Sequence, residues 1–262
     1  MIRSLRTAAL GMGAQQLQLD VIANNLANVN TTGFKRSSVE FQDVLYEKIV
    51  AGSSAGGPGF EKPADIQVGH GNRAVSTFRT FAQGSVAETS NPLDIAIDGD
   101  GFFQLLRSDG SYAYTRDGSF RLNAEGYLVN ASGLRLASEV NLPPETESIY
   151  ISEDGVISVI LQGDAIPTEI DQLELAKFVN PAGLSAIGGN MYMEAAGSGP
   201  PTVGFAGEEG FGVTIQGFLE KSNVDVVQEM IGMIVAQRAY EINSKAVRTA
   251  DEMLAVANNI RR

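Results

Sequence analysis

Four asparagines fall within seven residues near the start of the chain: Asn24, Asn25, Asn28 and Asn30, in DVIANNLANVNTTGFKR. An amide side chain does not ionise, offers two donors and an acceptor, and tolerates left-handed backbone. Its chemistry is recognition. At a helix end it satisfies orphan carbonyls without bringing charge into a crowded site. Capping one helix takes about one such residue. Four of them point to a packed junction shared by several chains.

Groups able to make or break covalent bonds are sparse. The one histidine, His70, sits in VGHGNRA. Gly69-His70-Gly71 begins like a dinucleotide loop, but the strand, helix and later acid that such a loop requires are not evident. The stretch is read as a turn. One histidine cannot build a His-rich metal site, and zero cysteine removes thiolate metal sites, disulfides and Cys nucleophiles together. Neither G-x-S-x-G nor G-x-x-x-x-G-K-[ST] occurs. IDGDGFF hints at calcium, but an EF-hand loop would need an acid or Asn where Phe102 stands. Nested turns are the expected structure there. No catalytic, cofactor or metal site is assigned, and the chain is not expected to be an enzyme.

Composition agrees with that reading. The chain has 262 residues, 44% of them apolar, and a formal net charge of −12. It is long enough for a sizeable core in one or two domains. Residues 1–30 carry a net +1 (Arg3, Arg6, Asp20) and residues 222–262 carry zero, so the middle carries −13. An acidic chain is a poor partner for nucleic acid, which needs clustered Lys and Arg. Ends this close to neutral can crowd together in many copies without strong repulsion. No run approaches ~18 apolar residues, so no transmembrane segment is expected. The start shows no long apolar h-region or clear cleavage site, so leaving the cytosol would need a route without a cleaved signal.

Two long elements must carry the amides. Leu5, Ala8, Met12, Gln15, Leu19, Ile22, Leu26 and Val29 are spaced alternately three and four apart, which predicts one stripe of a helix over residues 1–30. Gly11 and Gly13 interrupt it. They mark either a break or the close approach of a neighbouring backbone. The far end repeats the pattern in Val235, Ala239, Ile242, Ala246, Thr249, Met253, Val256 and Ile260, with Val224, Val227 and Ile231 joined through a stutter. Ser222, Asn223 and Asp225 are candidate N-caps. Between the ends, Asp-Gly pairs at 98–99, 100–101, 109–110, 117–118 and 154–155 adjoin short apolar runs, a grammar of tight β-turns.

The expected fold is therefore α+β: N- and C-terminal long helices paired as a coiled-coil domain, with an inserted, mainly antiparallel β middle. Residues 1–30 plus 222–262 form the helical domain. Residues 31–90 plus 206–221 form a connecting layer, including a Gly/Ser/Pro-rich loop at 51–64. Residues 91–205 form the β-domain.

Three blocks then resemble a known family. ANNLANVNTTGFKR (23–36), DGFFQLLRSDGSYAYTRDGSFRLNAEGYLV (100–129) and GFLEKSNVDVVQEMIGMIVAQRAYEINSKAVRTADEML (217–254) stand in family order and resemble the axial rod and hook proteins of the bacterial flagellum. The MIRSL opening, the length and the QRAYEINSKAV block resemble the distal-rod branch; a proximal rod or short hook-type protein is the alternative, and a periplasmic hydrolase a remote third.

The resemblance implies a rigid, hollow, helical shaft of many copies that transmits torque and conducts exported subunits. It implies no cofactor. The implied partners are sister copies, proximal rod proteins, the hook protein and its junction, the peptidoglycan-ring and outer-membrane-ring proteins, and the flagellar type III export apparatus. The implied location is the periplasm-spanning rod of the basal body. The expected axial-packing residues are Leu5, Met12, Gln15, Leu19, Ile22, Asn24, Asn25, Leu26, Asn28, Val29 and Asn30 at one end. At the other they are Val235, Ala239, Tyr240, Ile242, Asn243, Met253, Val256 and Ile260. Ser53, Ser54, Gly56, Gly57, Pro58 and Gly59 form a candidate rod-specific bracing loop.

Overall fold

A computed structural model describes residues 2–50, 66–138, 140–163, 166–208 and 210–260. The expected brace at Ser53, Ser54, Gly56, Gly57, Pro58 and Gly59 lies outside the described residues, as does the side chain of Ile260. The architecture is α+β: a long helix at each end and a mainly antiparallel β middle. Among the described residues no helix is long and apolar enough to cross a membrane. The chain divides into two compact units. One comprises Met1–Leu26, Ser37–Phe78 and Val226–Arg262; the other comprises Ala27–Arg36 and Arg79–Asp225. The connecting layer expected at 31–90 and 206–221 is thus shared between the two units.

In the first unit, α1 spans Ile2–Ala27 and α2 spans Val226–Ile260. They run antiparallel in one register. Asn25 bonds to Glu229, Gly232 faces Ile22, and Gly11 faces Asn243; in each pair the residue numbers add to 254. α1 continues unbroken through Gly11 and Gly13. A Cβ on Gly11 would lie 2.9 Å from the Asn243 amide, whereas one on Gly13 would meet nothing. Gly11 therefore makes room, although for a side chain rather than a backbone. The stripe expected on α1 is covered: Ala8 and Ile22 are buried, and Leu5, Met12, Gln15, Leu19 and Leu26 are partly covered.

On α2 the stripe differs from the expected one. Its covered face is Glu229, Gly232, Met233, Ala236, Ala239, Asn243, Ser244, Val247, Ala250 and Leu254, and its two buried apolar positions are the alanines Ala236 and Ala250. Of the expected stripe only Ala239 shares that face; Val235 and Ile242 are 63% and 66% exposed, and Met253 and Val256 are also open. The helix carries two apolar faces, a small one turned to the chain and a large one turned outward. A heptad read from the largest side chains selects the outer one. β1 (Ser37–Asp43) pairs with β4 (Asn72–Arg79), and β2 (Tyr46–Val50) with β3 (Ile66–Gly69). His70 lies in the link between β3 and β4, with Nε2 3.6 Å from Glu47.

In the second unit, β5 (Val86–Glu88) pairs with Phe218–Glu220, and β6 (Ile95–Asp98) pairs with Val213–Gln216. β7 (Phe102–Leu106) bonds to β8 (Tyr112–Thr115), Arg135–Leu136 and Glu174–Lys177. A three-stranded antiparallel sheet of Thr146–Ile151, Val156–Leu161 and Thr168–Gln172 completes the unit. Ile95, Phe103, Leu105, Phe120, Leu136, Ile157 and Leu175 form its core, with Phe103 and Phe120 packed edge to face. Each such side chain contributes about 1.5–3 kcal/mol of burial.

The Asp-Gly pairs do three different jobs. Asp109-Gly110 and Asp154-Gly155 close hairpins with positive φ at glycine. Asp98-Gly99 and Asp100-Gly101 link β6 to β7, which do not pair with each other. Gly118 is a close-approach site: a Cβ there would sit 1.6 Å from the Ile95 carbonyl oxygen. Gly110→Ala, with open space around it, is expected to cost about 1 kcal/mol in strain. Gly118→Ala is expected to cost more than about 3 kcal/mol because backbone must move. Denaturant unfolding of the two variants checks this order.

Candidate functional site

The asparagine segment is used in parts. Asn25 ends the last turn of α1 buried, and its amide does what a strand neighbour would do. Its Oδ1 accepts from Ser37 N at 3.0 Å, and its Nδ2 donates to Ser37 O at 2.8 Å. The same Nδ2 reaches the buried carboxylate of Glu229 on α2 at 3.2 Å. One amide thus joins α1, the start of β1 and α2. Asn28 shapes the local turn after α1, accepting from Thr31 N with its backbone oxygen and from Thr31 Oγ1 with its side chain. Asn24 and Asn30 are exposed, and Val29 is partly covered. Only Asn25 is thus buried within the chain.

The residues that follow anchor in the second unit. Gly33 has φ +65°, and a Cβ there would lie 2.6 Å from Asp117 N. Gly33 N donates to Glu220 O at 2.9 Å. Thr32 Oγ1 donates to Asp117 at 3.0 Å, and Asn190 donates to Thr32 O at 3.0 Å. Lys35 is fully buried; its Nζ donates to Glu220 Oε1 at 2.6 Å and to Ala82 O at 2.9 Å. Gly84 N adds a second bond to Glu220 Oε1 at 2.8 Å, and Arg116 Nη1 stands 3.6 Å from Glu220 Oε2. Asn223 accepts from Arg36 N at 2.7 Å and donates to Thr80 O and Ala82 O. It clamps chain segments, and does not act as the helix N-cap expected of it.

The segments by which the chain enters and leaves the second unit, 32–36, 80–84 and 220–223, are therefore fastened to one another around a single buried carboxylate. Burial pushes the Lys35 ammonium below its ordinary pKa, with Glu220 opposing the shift. Burial pushes Arg116 the same way, against Glu220 and Asp100. Desolvation is the first cause at both cations, the cost that a buried ionic cluster carries against its mutual attraction. Lys35, Arg116 and Glu220 carry this cluster and were not singled out from sequence; Asn223 was singled out, but as a helix N-cap. Their partners lie up to 187 residues away in the chain, a pairing that no local pattern signals.

Among the described residues there is no group of three or more His, Asp or Glu placed to hold a metal ion. The arrangement is that of a structural protein: two long apolar helices, buried amide and ionic fasteners, and a β-rich body. Comparison with known proteins gives the particular class. Residues 5–35 match the model of the flagella basal body rod protein, residues 96–159 the FlgE/F/G D1 domain of flagellar hook protein, and residues 215–260 the C-terminal region of flagellar basal body rod FlgEFG protein. The chain is 50% identical over 267 residues to the flagellar basal-body rod protein FlgG of Borreliella burgdorferi, covering all of both chains. It is 45% identical over 261 residues to that of Caulobacter vibrioides, covering 99% of this chain and all of the relative. It is 38% identical to that of Bacillus subtilis over the full length of both. The chain belongs to the flagellar basal-body rod protein family, whose members are structural proteins and not enzymes.

The Glu220 cluster makes a graded prediction. Glu220→Gln leaves two buried cations without their anion and is expected to destabilise the chain by about 3–5 kcal/mol. Lys35→Met is expected to cost less, because Arg116 still faces the carboxylate. Denaturant midpoints of the full-length variants test the order, and equal losses would contradict it.

Proposed function

We propose that the chain is the structural subunit of the distal rod, assembling helically with sister copies into a rigid, hollow drive shaft that crosses the periplasm, transmits torque and conducts exported subunits. The observation that carries this reading is the outer face of α2. Val227, Met230, Ile231, Ile234, Val235, Ile242, Met253 and Val256 each stand more than half exposed. An apolar stripe this long on one helix is a surface made to be covered.

In this reading the antiparallel α1–α2 pair packs as a coiled coil and forms the inner tube. The exposed amides Asn24 and Asn30 meet neighbouring helices there. Residues 31–90 and 206–221 form an intermediate layer and 91–205 the outer one. Proximal rod proteins, the hook and its junction, the ring proteins of the peptidoglycan and outer membrane, and the type III export apparatus are the partners. The full-length match to relatives named FlgG supports the distal-rod assignment over a proximal or hook-type protein.

Val235→Glu and Ile242→Glu sit on exposed positions, so each free chain is expected to unfold within about 0.5 kcal/mol of the parent. Rod formation should nevertheless be lost: electron microscopy of basal bodies should show rods stopping short, and cells should not swim. Full-length rods with either variant would contradict the reading. We assign residues 51–64 a bracing role between copies. Their deletion should turn straight rods into bent ones in the same micrographs, and straight, stiff rods would remove that role.

A further inference from the structure

In the nine-stranded sheet of the second unit, β8 lies between β7 and the strand Met191–Met193. Tyr112 and Tyr114 are two apart on β8 and so point to one face. Tyr114 packs edge to face on Phe178 and is 3% exposed, while Tyr112 is 49% exposed. Both line an open groove of about 580 Å3, whose other wall runs from Met193 and Glu194 to Pro200. That wall is held in shape: Ala195 N donates to the buried Ser198 Oγ at 3.1 Å, and Asn180 Nδ2 donates to Gly197 O at 2.9 Å. The polar groups of the groove are unspent. Among the described residues, the hydroxyls of Tyr112 and Tyr114 have no hydrogen-bond partner and the Glu194 carboxylate has no cation. The Tyr114 hydroxyl is not one of the sealed polar atoms, so it opens on the groove. Burial raises its pKa above the ordinary value, and the charge of Glu194 adds to that. Arg107, which bonds to Ser111 and Met193, is already paired with Asp109 at 3.1 Å. An open aromatic ring, two phenol oxygens and an unpaired carboxylate make a receptor for a cation. A guanidinium suits it better than an ammonium, because it stacks on a ring and pairs with a carboxylate through a planar fork.

We propose that this groove receives Arg121 from a second copy of the chain. Among the described cations of the second unit, only Arg121 and Lys221 are exposed with no partner for the side chain, and only Arg121 carries the planar fork. Backbone pairing with Val129 fixes its position. Arg121–Leu122 is the strand at one end of the sheet, four strands along from β8. At about 4.8 Å per strand, that separation is beyond the reach of one side chain, so groove and occupant meet only between copies. A receptor towards one end of a sheet and its ligand at the other make a head-to-tail contact, the kind that builds an open helical assembly when its rotation does not close a ring. The choice of Arg121 rests on the self-assembly proposed above; the groove's preference for a guanidinium does not.

Two measurements test the site and the occupant separately. In the first, ethylguanidinium is titrated into the full-length chain while labelled tyrosine rings are followed by nuclear magnetic resonance. The Tyr112 and Tyr114 signals are identified by their loss in Tyr112→Phe and Tyr114→Phe. Saturable shifts of both are expected, with none from the neutral ethylurea, and Glu194→Gln should weaken binding by about threefold. No shift, equal shifts from ethylurea, or binding indifferent to Glu194→Gln overturns the site.

The second uses the absence of cysteine from the chain as a clean background. Two forms are produced in the same cells, one with Leu122→Cys and one with Ala196→Cys, so that any mixed product joins different copies. Isolated basal bodies are treated with a short bismaleimide and read by peptide mass. A product joining position 122 to position 196 is expected. Adding Arg121→Glu to the first form should reduce it by about threefold, and adding Glu194→Arg to the second should restore it. Only like-with-like products, coupling to a different protein, or a mixed product indifferent to Arg121→Glu overturns Arg121 as the occupant, even if ethylguanidinium binds. Rods that lack the chain overturn both the proposed function and the occupant.

Discussion

A helix of 35 residues with large apolar side chains facing water cannot remain uncovered in a crowded solution, and the rest of this molecule is arranged around that constraint. α2 turns its small residues, Gly232, Ala236, Ala239 and Ala250, toward the chain and its large ones outward. A monomeric enzyme would place them the other way round, since burying a large side chain contributes most to its own fold. On the proposed reading, the larger hydrophobic contribution is held back for contacts beyond the chain. The helix pair is therefore tied internally by means other than bulk: the shared register, the gap at Gly11 for Asn243, and the buried Asn25–Glu229 bond.

Specificity in the second unit follows similar logic. Glu220 gathers Lys35, Gly84 N and Arg116 from distant parts of the chain. A buried cluster of this kind gains little net stability over well-packed apolar side chains, but it accepts only one arrangement. Gly33 and Gly118 work to the same end sterically, because each brings backbone closer to backbone than any side chain would permit. For a subunit repeated in an ordered assembly, one defined conformation matters more than a deep energy minimum.

Much of this was legible in the sequence and some was not. The three-four spacing located both helices and part of the covered face of α1, where Ala8 and Ile22 are buried and Met12 and Leu19 partly covered; the buried Ala14 and Asn25 lie off that stripe. On α2 the same rule chose Val235 and Ile242, which face outward, because size and burial are decoupled there. The Asp-Gly pairs at 109–110 and 154–155 announced hairpins, since positive φ at glycine is a local property. Gly118 looked identical to them, but its reason for being glycine is the Ile95 carbonyl, a tertiary fact. The asparagines were read as groups for a junction shared by several chains; Asn25 spends its amide on Ser37 and Glu229 of its own chain. The Lys35–Glu220–Arg116 cluster gave no sequence signal, since charged residues read as surface until their partners are known.

Methionine oxidation is the most direct test of the central claim. Met230 and Met253 lie on the outer face of α2, each more than half exposed. Peroxide footprinting of the free full-length chain and of purified rods, read by peptide mass, compares their reactivity. If the outer face is reserved for sister copies, both sulfurs oxidise readily in the free chain and become protected in the rod. Equal oxidation in the two states would show that the face stays open to water, and the account would fail.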